Sequence, residues 1–284
     1  MKLVRFGPAG REKPGIIDTH GKIRDLSGVV PDIQGEVLSP QGLAKIAKTN
    51  LDTLPLAPEN SRLGPCVGRI GNFFAIGLNY ADHAAEAGLQ LPKEPIVFMK
   101  ATTSICGPND DTMMPKDSTK LDYEVELGIV IGQCARYLSK ESAMDAVAGY
   151  CLANDVSERS FQIDRGGGQW TKGKGCETFG PLGPWLVTKD EIKDPQALNM
   201  WLTVNGEKRQ HGSTKTMIFG VAHLVWYCSQ FFAMEPGDII ITGTPPGVGL
   251  GIKPEPKFLK VGDVVRLGID GLGEQQQKIV AFNA

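Results

Sequence analysis

The sequence predicts a β-rich α+β fold, and three observations carry that prediction. The chain holds 35 glycines and 19 prolines, which cut it into short pieces. Those pieces are mostly apolar runs or alternating segments of strand length, at irregular spacing. Only a few stretches show helical patterning, so strands and loops outnumber helices.

Taken in chain order, residues 1–65 read as a small N-terminal domain. MKLVRF and GIIDTHGKIRDLS are strands and hairpins separated by Gly and Pro. SPQGLAKIAKTNLDTLP reads as a short helix, with Ser39 as N-cap and Pro40 at its first position. LAPENSRLGPCV is a linker, and the main domain spans 70–284. There GNFFAIGLN is a strand entering a loop, and YADHAAEAG is one or two helical turns ended by Gly88. EPIVFMKATTSICGP is a strand and turn, LDYEVELGIVIG a strand, and KESAMDAVAGYCLAND a helix followed by a short strand. A glycine-rich loop, RGGGQWTKGKGCETFGPLGPWLV, leads to another strand. LNMWLTVNGEKRQHGS is a hairpin turning at Asn205-Gly206. FGVAHLVWYCSQFFAMEPGD is an amphipathic helix, and DIIITGTPPGVG, GDVVRLGIDGLG and QQKIVAF supply the closing strands. No repeat, heptad or low-complexity tract interrupts this order.

Composition excludes several partner classes. Hydrophobic residues make up 41% and charged residues 22% of the 284-residue chain, ordinary for a soluble globular protein. A net charge of -2 and no Lys/Arg run give nucleic acid nothing to bind. No apolar run nears the ~18 residues of a membrane span, and MKLVRFGPAGREKPG has no apolar segment of signal-peptide length. The expectation is a cytoplasmic protein with no membrane partner. Cys66, Cys106, Cys134, Cys151, Cys176 and Cys228 are scattered without a CxxC, which predicts small buried side chains in a reducing compartment.

Chemistry concentrates in a few places. Alternate residues of a strand share a face, so Asp122, Glu124 and Glu126 would point the same way. Such a row could be the solvated face of an edge strand. Like charges side by side repel, however, and the strand continues as GIVIG, which reads as buried on both faces. A divalent cation resolves that conflict, because carboxylate oxygens are its preferred ligands. Asp155, where CLAND leaves its strand, is the best third acid, although turn and N-cap aspartates are common at such exits. His83 and Glu86 lie three apart, either as a surface pair or as a base and the acid that orients it. His20, His211 and His223 have no acidic neighbour at such spacing and read as structural. TKGKGC sets Lys172 and Lys174 in a glycine-rich loop. GTPPGVGLG lacks the Lys-Ser/Thr of a nucleotide loop, but Gly243, Thr244 and its backbone N–H groups can receive a carboxylate.

Together these stretches resemble the fumarylacetoacetate hydrolase family. GLNYADHAAEAG, PIVFMK, DYEVELGIVIG, NDVSER with Gln162, GKGCETFGPLGPW, TMIF, EPGDIIITGTPPGVG and VGDVVRLGIDGLG follow the family's order over about residues 70–280. The resemblance implies a mixed β-roll, a homodimer and a divalent metal, Mg²⁺ or Mn²⁺, on Glu124, Glu126 and Asp155, with Asp122 in support. It implies that Lys174 contacts substrate near the metal. His83 and Glu86 would belong to a lid that closes over the substrate, with His83 as base. Arg159 and Gln162 would line the site. Glu158, Cys176 and Glu177 depart from the family's usual residues, which bears on substrate fit. The implied substrate is a small 2-oxo or 2,4-dioxo acid. The implied reaction is metal-assisted hydrolysis of a C–C bond in an acylpyruvate or a 2,4-diketo-3-deoxy sugar acid. Ureidoglycolate cleavage and oxaloacetate decarboxylation on the same site are the alternatives, and a non-catalytic binding protein is a third.

Overall fold

The structure, a computed structural model, describes residues 1–82 and 90–283. A nine-stranded mixed sheet forms its centre. From edge to edge the strands run Ile23–Asp25, Lys13–Ile17, Lys2–Phe6, Leu186–Thr188, Val147–Asn154, Val125–Ile131, Ile239–Ile241, Phe73–Gly77 and Ile96–Lys100. All neighbours are antiparallel except Ile239–Ile241 with Phe73–Gly77. The three N-terminal strands therefore extend the sheet of the main unit. A second, five-stranded sheet packs against it, built around Asn199–Val204, Val264–Ile269 and Gly273–Val280. This architecture is the α+β, β-rich mixed roll expected.

The acidic strand lies deep in this assembly. Val125, Leu127, Ile129 and Ile131 join the core between the two sheets, with Leu152, Leu202, Leu267 and Ile279. Val130 faces the opposite way, into a core shared with Leu3, Ile16, Leu38, Ile46 and Ile241. Burial on both faces explains why the run GIVIG is apolar without alternation.

Several local readings hold. Pro40–Ala47 is helical, and the Ser39 hydroxyl accepts from the Gly42 N–H at 3.1 Å. Asn205 and Gly206, at φ 51° and 81°, turn the hairpin. Others change. KESAMDAVAGYCLAND contains one 3₁₀ turn, Ala143–Ala146, and then an eight-residue strand. That strand is buried throughout and pairs on both sides, and these contacts override the local helical pattern. Cys134 is exposed, while Cys66, Cys151 and Cys228 are buried. Among the described residues no helix is long and apolar enough to cross a membrane.

LDYEVELGIVIG is also not one strand. Leu121–Asp122 pairs with Ser157–Glu158, and Val125–Ile131 pairs with Val147–Asn154. Tyr123 and Glu124 leave the ladder between them. The Glu124 N–H donates to the Asn154 side chain at 3.1 Å, and the Val125 N–H to the Gln210 side chain at 2.9 Å. Gln210 in turn donates to Thr244 Oγ1 and to the Pro245 carbonyl, both at 2.8 Å. Glu126 and Glu124 face the cavity described below, and Asp122 turns away from it. Gln210→Leu leaves the Val125 N–H and the Pro245 carbonyl without these partners. Chemical denaturation should show a loss of about 2–3 kcal/mol.

Candidate active site

At one end of the nine-stranded sheet four strands deliver their terminal residues together. Ile76 and Gly77 end one, Glu124 and Glu126 open the acidic strand, Asp155 follows Val147–Asn154, and Gly243 and Thr244 follow Ile239–Ile241. They line a cavity of about 350 Å³. The Ser160–Asp164 turn adds Gln162 and Ile163, and the short helix Thr171–Lys174 adds Lys174.

One carboxylate oxygen each from Glu124, Glu126 and Asp155 lies within 4.8 Å of the other two, and all three residues are buried. Lys174 Nζ donates to Glu124 at 2.8 Å and to Asp155 at 2.7 Å. Arg159 donates to Asp122 at 2.8 Å, to Glu124 at 2.7 Å and to the Gln162 side-chain oxygen at 3.0 Å. Glu126 accepts one hydrogen bond among the described residues, from the Gly243 N–H at 2.7 Å.

These contacts set the charge states. Burial alone would raise Glu124, but Lys174 and Arg159 outweigh it and hold the carboxyl down to about 2. Glu126 has no such cation against it. Burial, reinforced by the Asp155 and Glu124 carboxylates, pushes it well above its ordinary 4.5. Burial would lower Lys174, yet Asp155 and Glu124 hold it above its usual range.

This donor set fits a hard divalent cation. Three converging carboxylates match its ligand preference, and one of them carries no cationic partner to displace. Glu124, Glu126 and Asp155 are the residues that could hold it.

The GTPPGVGLG loop uses its N–H groups on the protein's own acids. Gly243 sits at φ 90° with its N–H on Glu126, a conformation that favours glycine. The Gly249 and Leu250 N–H groups donate to Asp122 at 2.7 and 3.0 Å. A Cβ on Gly249 would come within 2.6 Å of that carboxylate. The Thr244 hydroxyl donates to the Val125 carbonyl at 2.8 Å and accepts from Gln210. Asp122 is thus the anchor between this loop, Arg159 and the acidic strand.

Glu124, Glu126, Asp155, Arg159, Gln162, Lys174, Gly243 and Thr244 all reach the cavity wall. His83 and Glu86, with the YADHAAEAG lid, lie largely outside the described residues. Among the described histidines none reaches the cavity, and His223 instead packs between the Phe219 and Tyr227 rings. Glu158, Cys176 and Glu177 do not line it either. Glu158 is buried and accepts from the Lys120 and Phe161 N–H groups, so it ties two loops together and does not touch substrate space. Lys172 is exposed and donates to the Arg165 carbonyl.

Sequence reasoning missed Lys100. Its fully buried ammonium donates to Asp155 at 2.5 Å and to the carbonyls of Val156 and Lys174. Burial pulls it below its ordinary value, against the attraction of Asp155. The signal was a lysine ending the apolar run PIVFM, where a buried strand should have no charge. The aromatic wall of Phe98 and Trp170, in edge contact at 5.3 Å, was also unassigned.

A roll of two mixed sheets with a buried triad of acids at a cavity floor defines a class of proteins able to hold a divalent metal beside a small ligand. The chain belongs to the fumarylacetoacetate hydrolase family: the model of that family's C-terminal region matches residues 72–280. A Burkholderia ambifaria protein described only as a candidate hydrolase is 61% identical over 277 residues, 98% of each chain. Among solved structures, a fumarylacetoacetate hydrolase from Exiguobacterium antarcticum superposes with a TM-score of 0.87 at 36% identity, covering 99% of this chain and 100% of that one. A Sphingobium maleylpyruvate hydrolase with manganese(II) and pyruvate bound gives 0.81 at 28%, covering 100% of both.

Two measurements check this charge arrangement. A carboxyl raised in the folded state adds stability below its unfolded value of 4.5 and loses it as pH climbs through the folded value. Chelator-treated protein should therefore weaken as pH rises above 4.5, while a divalent cation offsets the loss. The gap in unfolding temperature between Mg²⁺-loaded and chelated protein should widen with pH. A gap that stays flat from about pH 5 to about pH 8 counts against Glu126 as the protonated group. Glu124, held down to about 2, acts only below that window. Separately, Lys100→Met leaves Asp155 short of a buried partner, and urea denaturation in chelator should show a loss of about 3–5 kcal/mol.

Proposed function

We propose that this protein is a divalent-metal-dependent hydrolase that cleaves the C–C bond of an acylpyruvate, releasing pyruvate and a carboxylic acid. One observation carries the reading: Glu124, Glu126 and Asp155 converge at a cavity floor with the Lys174 ammonium between two of them. The family membership and the pyruvate-bound relative support it.

A divalent cation held there would supply Lewis-acid polarisation of the substrate's 2-oxo acid end. The chain's own residues do the rest. Arg159 and Lys174 keep Glu124 ionised, and Lys100 and Lys174 orient Asp155. Lys174 also keeps a positive charge where the pyruvate enolate forms. The base takes a proton from water, the hydroxide adds to the distal carbonyl, and the C–C bond breaks with its electron pair passing to the pyruvate fragment. That fragment then takes up a proton. His83, oriented by Glu86, is assigned as the base on the YADHAAEAG motif. Decarboxylation of oxaloacetate needs the same electron sink and no such base.

Purified protein with Mg²⁺ or Mn²⁺ should release pyruvate from at least one acylpyruvate and lose that activity on chelation. Glu126→Ala should abolish both the activity and the Mg²⁺-dependent rise in unfolding temperature. If calorimetry finds equal Mg²⁺ affinity in Glu126→Ala, the ligand assignment fails. His83→Ala should cut hydrolysis about 10²–10⁴-fold and affect any oxaloacetate decarboxylation far less. Lys174→Ala should damage both. Hydrolysis at the wild-type rate in His83→Ala would remove His83 as the base.

A further inference from the structure

The cavity is divided by polarity. Its floor is acidic and fully paired, as described above. Beyond the floor the wall is hydrocarbon: Ile76, Phe98, Ile163, Trp170, Val248 and Leu250. The polar side chains among the described lining residues are committed elsewhere or confined to the floor. Thr244 spends its hydroxyl on Val125 and Gln210, and Gln162 sits on Arg159 at the acidic end. One charged group lies outside this network. Lys253 lines the cavity, is exposed, and has neither an ion pair nor a side-chain hydrogen bond among the described residues. The two other cations that line the cavity, Arg159 and Lys174, are held by Asp122, Glu124 and Asp155.

These features constrain the far end of a ligand whose near end meets the acidic floor. A hydroxylated chain would lose water along a wall with no side-chain partner for its hydroxyls, at a cost for each group desolvated. A plain hydrocarbon chain suits that wall. An anionic end group would reach an ammonium with no competing carboxylate. We propose that Lys253 and the apolar wall select 2-oxo acids whose far end is an unhydroxylated chain closed by a second carboxylate, and reject polyhydroxylated sugar acids. This inference rests on the reading of the floor as a 2-oxo acid site.

The test uses three six-carbon probes that lack the bond to be cleaved: 2-oxoadipate, 2-oxohexanoate and 2-keto-3-deoxygluconate. Each is titrated into Mg²⁺-loaded protein by calorimetry. 2-Oxoadipate should bind on the order of 5-fold tighter than 2-oxohexanoate, the scale of one partly exposed ion pair, and that ratio should shrink in high salt. The sugar acid should bind weakest. Lys253→Met should bring the ratio of the first two affinities to about one, and Lys253→Arg should retain it. A ratio of one in the wild type, a ratio unchanged in Lys253→Met, equal binding of the sugar acid, or no binding of any probe would each overturn the proposal. The readout does not involve turnover. A preserved ratio in a protein that cleaves no acylpyruvate sinks the hydrolase reading and leaves the selectivity standing; cleavage with a flat ratio does the reverse.

Discussion

Four carboxylates and three cations share one buried volume, and neither set could be there alone. Asp122, Glu124, Glu126 and Asp155 are each almost wholly removed from water, as are Lys100, Arg159 and Lys174. An isolated charge in such a place costs several kcal/mol, so each must find a partner or change its protonation. The network divides the problem unevenly. Asp122 receives three backbone N–H groups and Arg159, Glu124 receives two cations, and Asp155 receives two lysines. Glu126 is left with one N–H. It is the position at which the site is short of positive charge, and the one at which a divalent cation changes the balance most.

The fold supplies that arrangement through strand ends and polar struts. Antiparallel and parallel neighbours bring four strand termini to one edge of the sheet. The break at Tyr123–Glu124 lets Asp122 turn toward the glycine loop while Glu124 and Glu126 face the cavity. Asn154 and Gln210 satisfy the N–H groups that this break frees. Asn154 is itself held by Gln277, which reaches across from the second sheet. The packing of the two sheets therefore fixes the position of the acids as well as burying the core.

The same uneven division shapes the cavity above the floor. Charges spent on one another present little to a ligand except at the metal-facing end, and the hydrocarbon wall adds no hydrogen-bonding side chain. Lys253 at the mouth is chemically distinct because nothing in the floor network reaches it.

Much of this was legible in the sequence. Strand-length runs cut by glycine and proline gave the β-rich class, and Ser39-Pro40 and Asn205-Gly206 gave a cap and a turn, because these depend on contacts a few residues apart. Glu124, Glu126 and Asp155 were legible because acids leading into a buried strand contradict its solvation. The rest depended on partners far along the chain. Lys100 and Asp155 are 55 residues apart, and Asp122 and Gly249 are 127 apart. No local pattern shows that a lysine ending PIVFM will be buried against an aspartate, or that a glycine loop will spend its N–H groups on the protein's own acids. Alternation put Asp122 on the same face as Glu124 and Glu126, and only the pairing of Leu121–Asp122 with Ser157–Glu158 turned it away. Residue types fixed which charges had to be neutralised; the packing of distant strands decided which group neutralised each one, because burial and pairing are properties of the assembled sheets.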